Sequence, residues 1–156
     1  MTRMLTTGTV ENHIGQSLGS SRWVTVTQEM INSFGALTMD EQWIHVDEGR
    51  AQRENGGAIA HGFLTLSLLS YMVADIWQFE GMTRAFNYGF NRLRFPASVA
   101  AGARVRLNET LVKVEQREDS IMLTREIAVE IEDHNKPAIA GEWVALLYLE
   151  KSMAQG

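Results

Sequence analysis

The run from His61 to Trp77, HGFLTLSLLSYMVADIW, limits the fold of this chain more than any other segment. It is apolar nearly all round a helical wheel, so a helix there is buried on most sides rather than floating with one face in water. It is shorter than the ~20 residues a membrane span needs and carries His61, Thr65, Ser67, Ser70 and Asp75. The rest of the chain must therefore wrap it.

The wrapping material lies downstream. Phe86 to Phe90 alternates aromatic with small or polar residues, and that run continues to Phe95-Pro96. Val105 to Gln116 alternates too, but its parity switches between Leu107 and Val112, which predicts a bulge. Ile121 to Asp133 sets Ile127, Val129 and Ile131 opposite Glu126, Glu130 and Glu132. His134 to Pro137 reads as a turn, and Ile139 to Leu149 is apolar enough to be covered on both faces. Short connections predict that the four strands pair in series as antiparallel neighbours.

Upstream, Ser20 to Val26 is a strand candidate. Thr25 or Thr27 caps a helix from about Gln28, which Gly35 and the polar residues after it should end. Asp47 caps a short helix through Arg53, stopped by Glu54 to Gly57, and the long helix from His61 should fade over residues 78–81. The expectation is α+β: a long central helix gripped by a curved antiparallel sheet, the arrangement of the hot-dog fold. One domain over 1–156, with its core at about 12–150, accommodates all of this at 156 residues.

Composition narrows the chemistry. The absence of cysteine excludes disulfides, thiolate catalysis and cysteine zinc sites. A net charge of −5 argues against nucleic acid as a partner. With no apolar leader at the start and no membrane span, a cytoplasmic location is the expectation.

Asp40 and His45 put a carboxylate and an imidazole five positions apart in a turn-like polar connection, which Trp43 and Ile44 pull against the core. A partly buried pair of this kind can exchange protons near neutral pH. Ala60-His61-Gly62 opens the central helix, and first-turn N–H groups have no intrahelical acceptor and carry the positive end of the helix dipole. Taken by itself each feature has an ordinary structural explanation: a solvated loop pair and a helix start. Ser70 by default bonds back to its own helix, and His13 and His134 read as surface residues. His45 and Asp47 with His61 make a poor metal set, because Asp47 already serves as a cap and no partner stands at i, i+4 spacing. Arg92, Arg94, Arg104 and Arg106 would meet an anion only if the strands gathered them.

The stretch Phe34-Gly-Ala-Leu-Thr-Met-Asp40-Glu-Gln-Trp-Ile-His45-Val-Asp47 resembles the hydratase 2 motif of the MaoC-like dehydratases, the (R)-specific enoyl-CoA hydratases. His61-Gly62-Phe-Leu-Thr-Leu-Ser-Leu-Leu-Ser70 and Asn87-Tyr-Gly-Phe-Asn-Arg-Leu-Arg-Phe-Pro96 follow in the family's order and look like its nodulation-protein-N-like branch. The resemblance spans about 12–149. It implies that Asp40 and His45 are the catalytic pair, that the Gly62 N–H is the oxyanion donor, and that Ser70 is a small polar residue beside the pair. Gln42 and Trp43 stand where many members have Asn and Pro, a change that bears on pocket shape.

The activity so implied is reversible hydration of trans-2-enoyl thioesters in fatty acid metabolism, a hydro-lyase reaction. No metal or organic cofactor is expected, since coenzyme A or an acyl carrier enters with the substrate. Thioester hydrolysis, using a helix carboxylate such as Asp75, and non-catalytic acyl-thioester binding are the competing readings. Open sheet edges and one uncovered helix side make a homodimer the natural completion.

Overall fold

The structure, a computed structural model, describes residues 2–150. It opens with β1 (Arg3–Leu5), a 3-10 turn at Val10–His13, β2 (Ser17–Ser20) and β3 (Val24–Thr25). Five helical segments follow: α1 (Gln28–Thr38), α2 (Trp43–Val46), α3 (Glu48–Asn55), α4 (Gly62–Ser67) and α5 (Leu69–Ile76). Five strands complete it: β4 (Trp77–Phe79), β5 (Met82–Arg94), β6 (Arg104–Gln116), β7 (Ser120–Ile131) and β8 (Ile139–Leu149).

The main sheet is ordered β2-β6-β7-β8-β5, with β3 beside β2 on β6 and every pairing antiparallel. It curls over α4 and α5, and Leu69, Met72 and Ile76 of α5 join Leu107, Leu123, Ile139 and Leu147 in one apolar core. This is the α+β hot-dog arrangement expected from the sequence. The expected bulge is present too, since the β6–β7 register shifts between Leu111 and Lys113 and leaves Val112 unpaired.

Several local expectations are corrected. The four long strands do not pair in series: β5 lies against β8, not β6. The connection 95–103 carries the chain across the end of the sheet. Three strand spacings are only ~14 Å, and a segment of that length reaches roughly 30 Å when extended, so a crossing was open to it. Ser20 to Val26 is two short strands, not one. Gly35 does not end α1 but sits buried inside it, and the helix stops at Met39, whose φ of 61° is left-handed.

The central helix is interrupted at Leu68, whose N–H is shared between Leu64 O at 3.2 Å and Thr65 O at 3.3 Å. Ser67 contributes by bonding its hydroxyl to Phe63 O at 2.7 Å, the kind of back-bond that bends helices. The helix also ends earlier than its apolar pattern implies, because Trp77 to Phe79 pairs with β1 as a parallel ribbon. It is not enclosed on every side: Phe63 and Tyr71 lie 66% and 60% exposed on its outer stripe. No helix among the described residues is long and apolar enough to cross a membrane.

Candidate active site

Thr27 caps α1 by accepting the Met30 N–H, and the helix delivers the chain to Asp40. A Cβ at Gly35 would lie 3.1 Å from Asp40 O, 3.3 Å from a Val46 methyl and 3.6 Å from the His61 ring. Gly35 is thus the notch that lets the Asp40–Val46 segment and His61 press against α1. His45 stands on α2, a single helical turn where the sequence suggested an irregular connection. Gln42 caps that turn with its backbone, its carbonyl accepting the His45 N–H at 2.9 Å, while its side chain is exposed and makes no capping bond.

Backbone carbonyls fix both imidazoles. His45 Nδ1 lies 2.7 Å from Ile59 O, and His61 Nε2 lies 2.8 Å from Asp40 O. A carbonyl only accepts, so each of these nitrogens carries the hydrogen, leaving His45 Nε2 and His61 Nδ1 as the free positions. The two rings stack with centroids 3.9 Å apart, and Phe34 packs on His61 from the side. Asp40, His45 and His61 each bring one polar side-chain atom within 4.8 Å of the others, a grouping that appears once among the described residues. A water bonded to two acceptors at normal distance holds them about 4.6 Å apart, which falls inside that limit. The same atoms are of metal-ligand type, with two of the four ring nitrogens already committed to carbonyls.

Gly62 is the first residue of α4, with His61 as its cap. Gly62, His45, Thr65, Phe95, Ser98 and Val99 are among the residues lining a cavity of about 170 Å³. A Cβ on Gly62 would meet the Phe95 ring at 3.0 Å, so glycine is what allows that ring to close over the helix start. The structure brings Asp40, His45 and Gly62 into one neighbourhood. Ser70 is not part of it within one chain: eight residues along the helix is ~12 Å, and its hydroxyl lies 3.4 Å from Asn87 Nδ2 beside other cavities. Asp75 is tied to Arg22 at 2.9 Å, and that bond holds its carboxyl below the usual range.

The MaoC like domain family matches residues 9–132. The chain belongs to that family. This MaoC-like protein is 47% identical over 141 residues to Nodulation protein N of Rhizobium meliloti, covering 88% of each chain. It is 45% identical over 130 residues to the 3-hydroxyacyl-thioester dehydratase Z of Mycobacterium tuberculosis, covering 82% of this chain and 86% of the relative. Among solved structures, the (R)-hydratase from A. caviae involved in PHA biosynthesis superimposes with a TM-score of 0.68 at 21% identity, over 85% of this chain and 94% of the other.

Sequence reasoning missed one buried polar group. Arg125 and Glu109 of the MaoC-like protein are each 1% exposed, on the paired strands β7 and β6. Trp77 Nε1 donates to one Glu109 oxygen at 2.6 Å, and the other lies 3.5 Å from Arg125 Nη1. The guanidinium sits 4.0 Å from the Trp143 ring and 5.3 Å from the Trp77 ring. Burial pushes the Glu109 carboxyl up and the Arg125 guanidinium down, each opposed by the other's charge. The signal was parity. Glu109 falls in the inward series with Val105 and Leu107, and Arg125 in that with Leu123 and Ile127. The four surface arginines gather no site: Arg104 pairs with Glu132, Arg106 with Glu130 and Arg92 with Glu126, and Arg94 bonds the Leu93 carbonyl.

Proposed function

We propose that this protein reversibly hydrates trans-2-enoyl thioesters to (R)-3-hydroxyacyl thioesters. The observation that carries the reading is a His45 ring nitrogen within 4.8 Å of an Asp40 carboxylate oxygen, on an imidazole whose Nε2 the Ile59 carbonyl leaves free and which lines the same cavity as the start of α4. Water held between two acceptors donates both hydrogens to them and turns a lone pair toward the substrate. Its oxygen bonds to C3 as the C2–C3 double bond opens, and the pair takes one of its protons. A proton from the pair then reaches C2, completing the addition of water across the bond. The Gly62 N–H, unclaimed by any helix acceptor, stabilises the enolate oxygen formed in between. The pair shares its protons, so no single residue is assigned the base.

Kinship with a 3-hydroxyacyl-thioester dehydratase supports the substrate class. Coenzyme A or an acyl carrier arm arrives with the acyl group, and the route needs no metal or organic cofactor. Phe63, Tyr71, Phe86 and Tyr88 are exposed on the helix stripe and on the edge strand β5, which supports a homodimer closed over that side. Ser70 would then adjoin a site through the partner copy. Hydrolysis directed by Asp75 is disfavoured, because its carboxylate is occupied by Arg22.

The test is hydration of crotonyl-CoA, followed by loss of enoyl absorbance with product analysis. Asp40→Asn and His45→Gln are each expected to lower turnover by at least ~100-fold while the fold is retained. Near-normal turnover in either folded variant would overturn the assignment. Binding of crotonyl-CoA to the unaltered protein without conversion would make it an acyl-thioester binding protein instead.

A further inference from the structure

His61 is a buried imidazole to which the hydration step gives no task. It is 3% exposed, and the cavity at His45 is walled by its neighbours Ala60 and Gly62 but not by His61 itself. Its Nδ1 is buried with no hydrogen-bond partner among the described residues. A buried polar atom left unpaired is costly, and an apolar ring of similar size would avoid that cost. The use of an imidazole here must lie with its other nitrogen and the contacts of its ring.

Both reach the reacting pair. Nε2–H donates to the Asp40 carbonyl at 2.8 Å, across 21 positions of sequence. The Asp40 main chain follows Met39, whose φ of 61° is left-handed, and such a conformation in a non-glycine residue persists only where the surroundings hold it. The ring lies on His45 with centroids 3.9 Å apart and planes 28° from parallel. Phe34 packs on it at 5.1 Å, and a Cβ at Gly35 would come within 3.6 Å of it, so the ring has little freedom to turn. His61 also caps α4, its carbonyl accepting the Leu64 and Thr65 N–H groups. The side chain that holds Asp40 therefore springs from the residue just before Gly62.

We propose that His61 is a positioning residue: its Nε2–H anchors the Asp40 main chain and its ring seats the His45 imidazole, so that carboxylate, imidazole and the start of α4 keep one fixed separation. What the pair does rests on the hydration reading, whereas the hold itself is open to measurement without substrate.

Crotonyl-CoA hydration and backbone NMR on the full-length protein test it together. His61→Phe keeps the ring and the stack but loses the bond to Asp40. It is expected to lower kcat at least ~10-fold, the scale of a sub-ångström shift at a reacting group, and to leave KM within about twofold, because His61 touches no substrate. His61→Gln sets an amide nitrogen close to the Nε2 position and should recover most of kcat. His61→Asn, whose amide stops near the Nδ1 position, should not. In the Asp40→Asn background His61→Phe should cost little more, the non-additivity of a residue that acts through another. Without substrate, the amides of Asp40 and Glu41 are expected to show order parameters near ~0.85, falling toward ~0.6 in His61→Phe and returning in His61→Gln.

Unchanged kcat in folded His61→Phe, a loss confined to KM, an equal loss in the Asp40→Asn background, or unchanged backbone order would each overturn the proposal. If His61→Phe does not fold, the Gln and Asn variants decide, and equal kcat in those two overturns it as well. The hydration reading fails by other results: no turnover in the unaltered protein, or normal turnover in Asp40→Asn or His45→Gln. The order parameters then still decide whether His61 holds Asp40.

Discussion

Replacing Gly62 by alanine separates activity from stability in a way the geometry makes quantitative. The new methyl would sit 3.0 Å and 3.2 Å from two carbons of the Phe95 ring, where carbon contacts are comfortable at ~3.5–4.0 Å. Either the ring or the first turn of α4 must move by about half an ångström. Phe95 is 43% exposed, so the ring can yield cheaply. Alanine at the start of a helix also returns up to ~1 kcal/mol of the entropy glycine loses there. The two effects offset, and the melting temperature should stay within about 3 °C of the unaltered protein. Catalysis has no such compensation. Phe95 and Gly62 both line the cavity at His45, and a misplacement of about 1 Å costs ~100-fold, so half of that predicts roughly a tenfold loss in kcat/KM for crotonyl-CoA. Phe95→Leu removes the ring carbons involved, and in the Gly62→Ala background it should recover most of the loss. A double variant no more active than Gly62→Ala, or a Gly62→Ala protein with unchanged kcat/KM, would refute the steric argument.

Two further outcomes follow from geometry elsewhere. Gly141 in β8 has no room for a Cβ, which would fall 2.5 Å from the Arg92 carbonyl oxygen and 3.3 Å from Leu93 Cα. Gly141→Ala should therefore cost about 2–3 kcal/mol, read as a fall of roughly 5–10 °C in thermal melting, and an unchanged melt would show that the β5–β8 pairing adjusts freely. Acid should weaken the fold through Asp75 and Glu130, whose bonds to Arg22 and Arg106 hold both carboxyls below the usual range. Stability from such groups is present above the unfolded value and lost as pH falls through the folded one, so the loss lies below about pH 4. Glu109 runs the other way, because its raised value favours the folded state in acid and the advantage goes as pH rises. The double variant Asp75→Asn, Glu130→Gln should flatten the acid limb of melting temperature against pH, and an unaltered limb would contradict the assignment.

Local rules carried the sequence reading where local forces dominate. Thr27 and Asp47 cap the helices they were expected to cap, and the parity switch near Val112 marks a real bulge. Departures arise where tertiary contacts override the local signal. Gly35 looks like a helix terminator until Asp40, Val46 and His61 are seen to crowd it. Trp77 continues the apolar helical pattern, yet a parallel pairing with Arg3 claims it as strand. At the site, Asp40, His45 and Gly62 could be picked out in the chain, but the tautomer of His45 rests on the Ile59 carbonyl, fourteen residues downstream. Arg125 was overlooked because a charge is read by default as outward-facing, although its parity with Leu123 and Ile127 set it on the core face.

The crossing of connection 95–103 has a consequence for the order of assembly. The β6–β7–β8 meander closes through short turns, whereas β5 reaches β8 through pairs as distant in sequence as Met82 and Leu149. Loop closure of that length is entropically expensive until the meander exists to receive the strand, so β5 zips on late. Phe95 and Val99, which wall the cavity at His45, ride on the segment that this late step places, and Val99 O ties it to Ala60 N at 2.8 Å, one residue before His61. A chain halted before that step already has most of its sheet but no walled cavity at His45, so binding competence at His45 reports completion of folding rather than its onset.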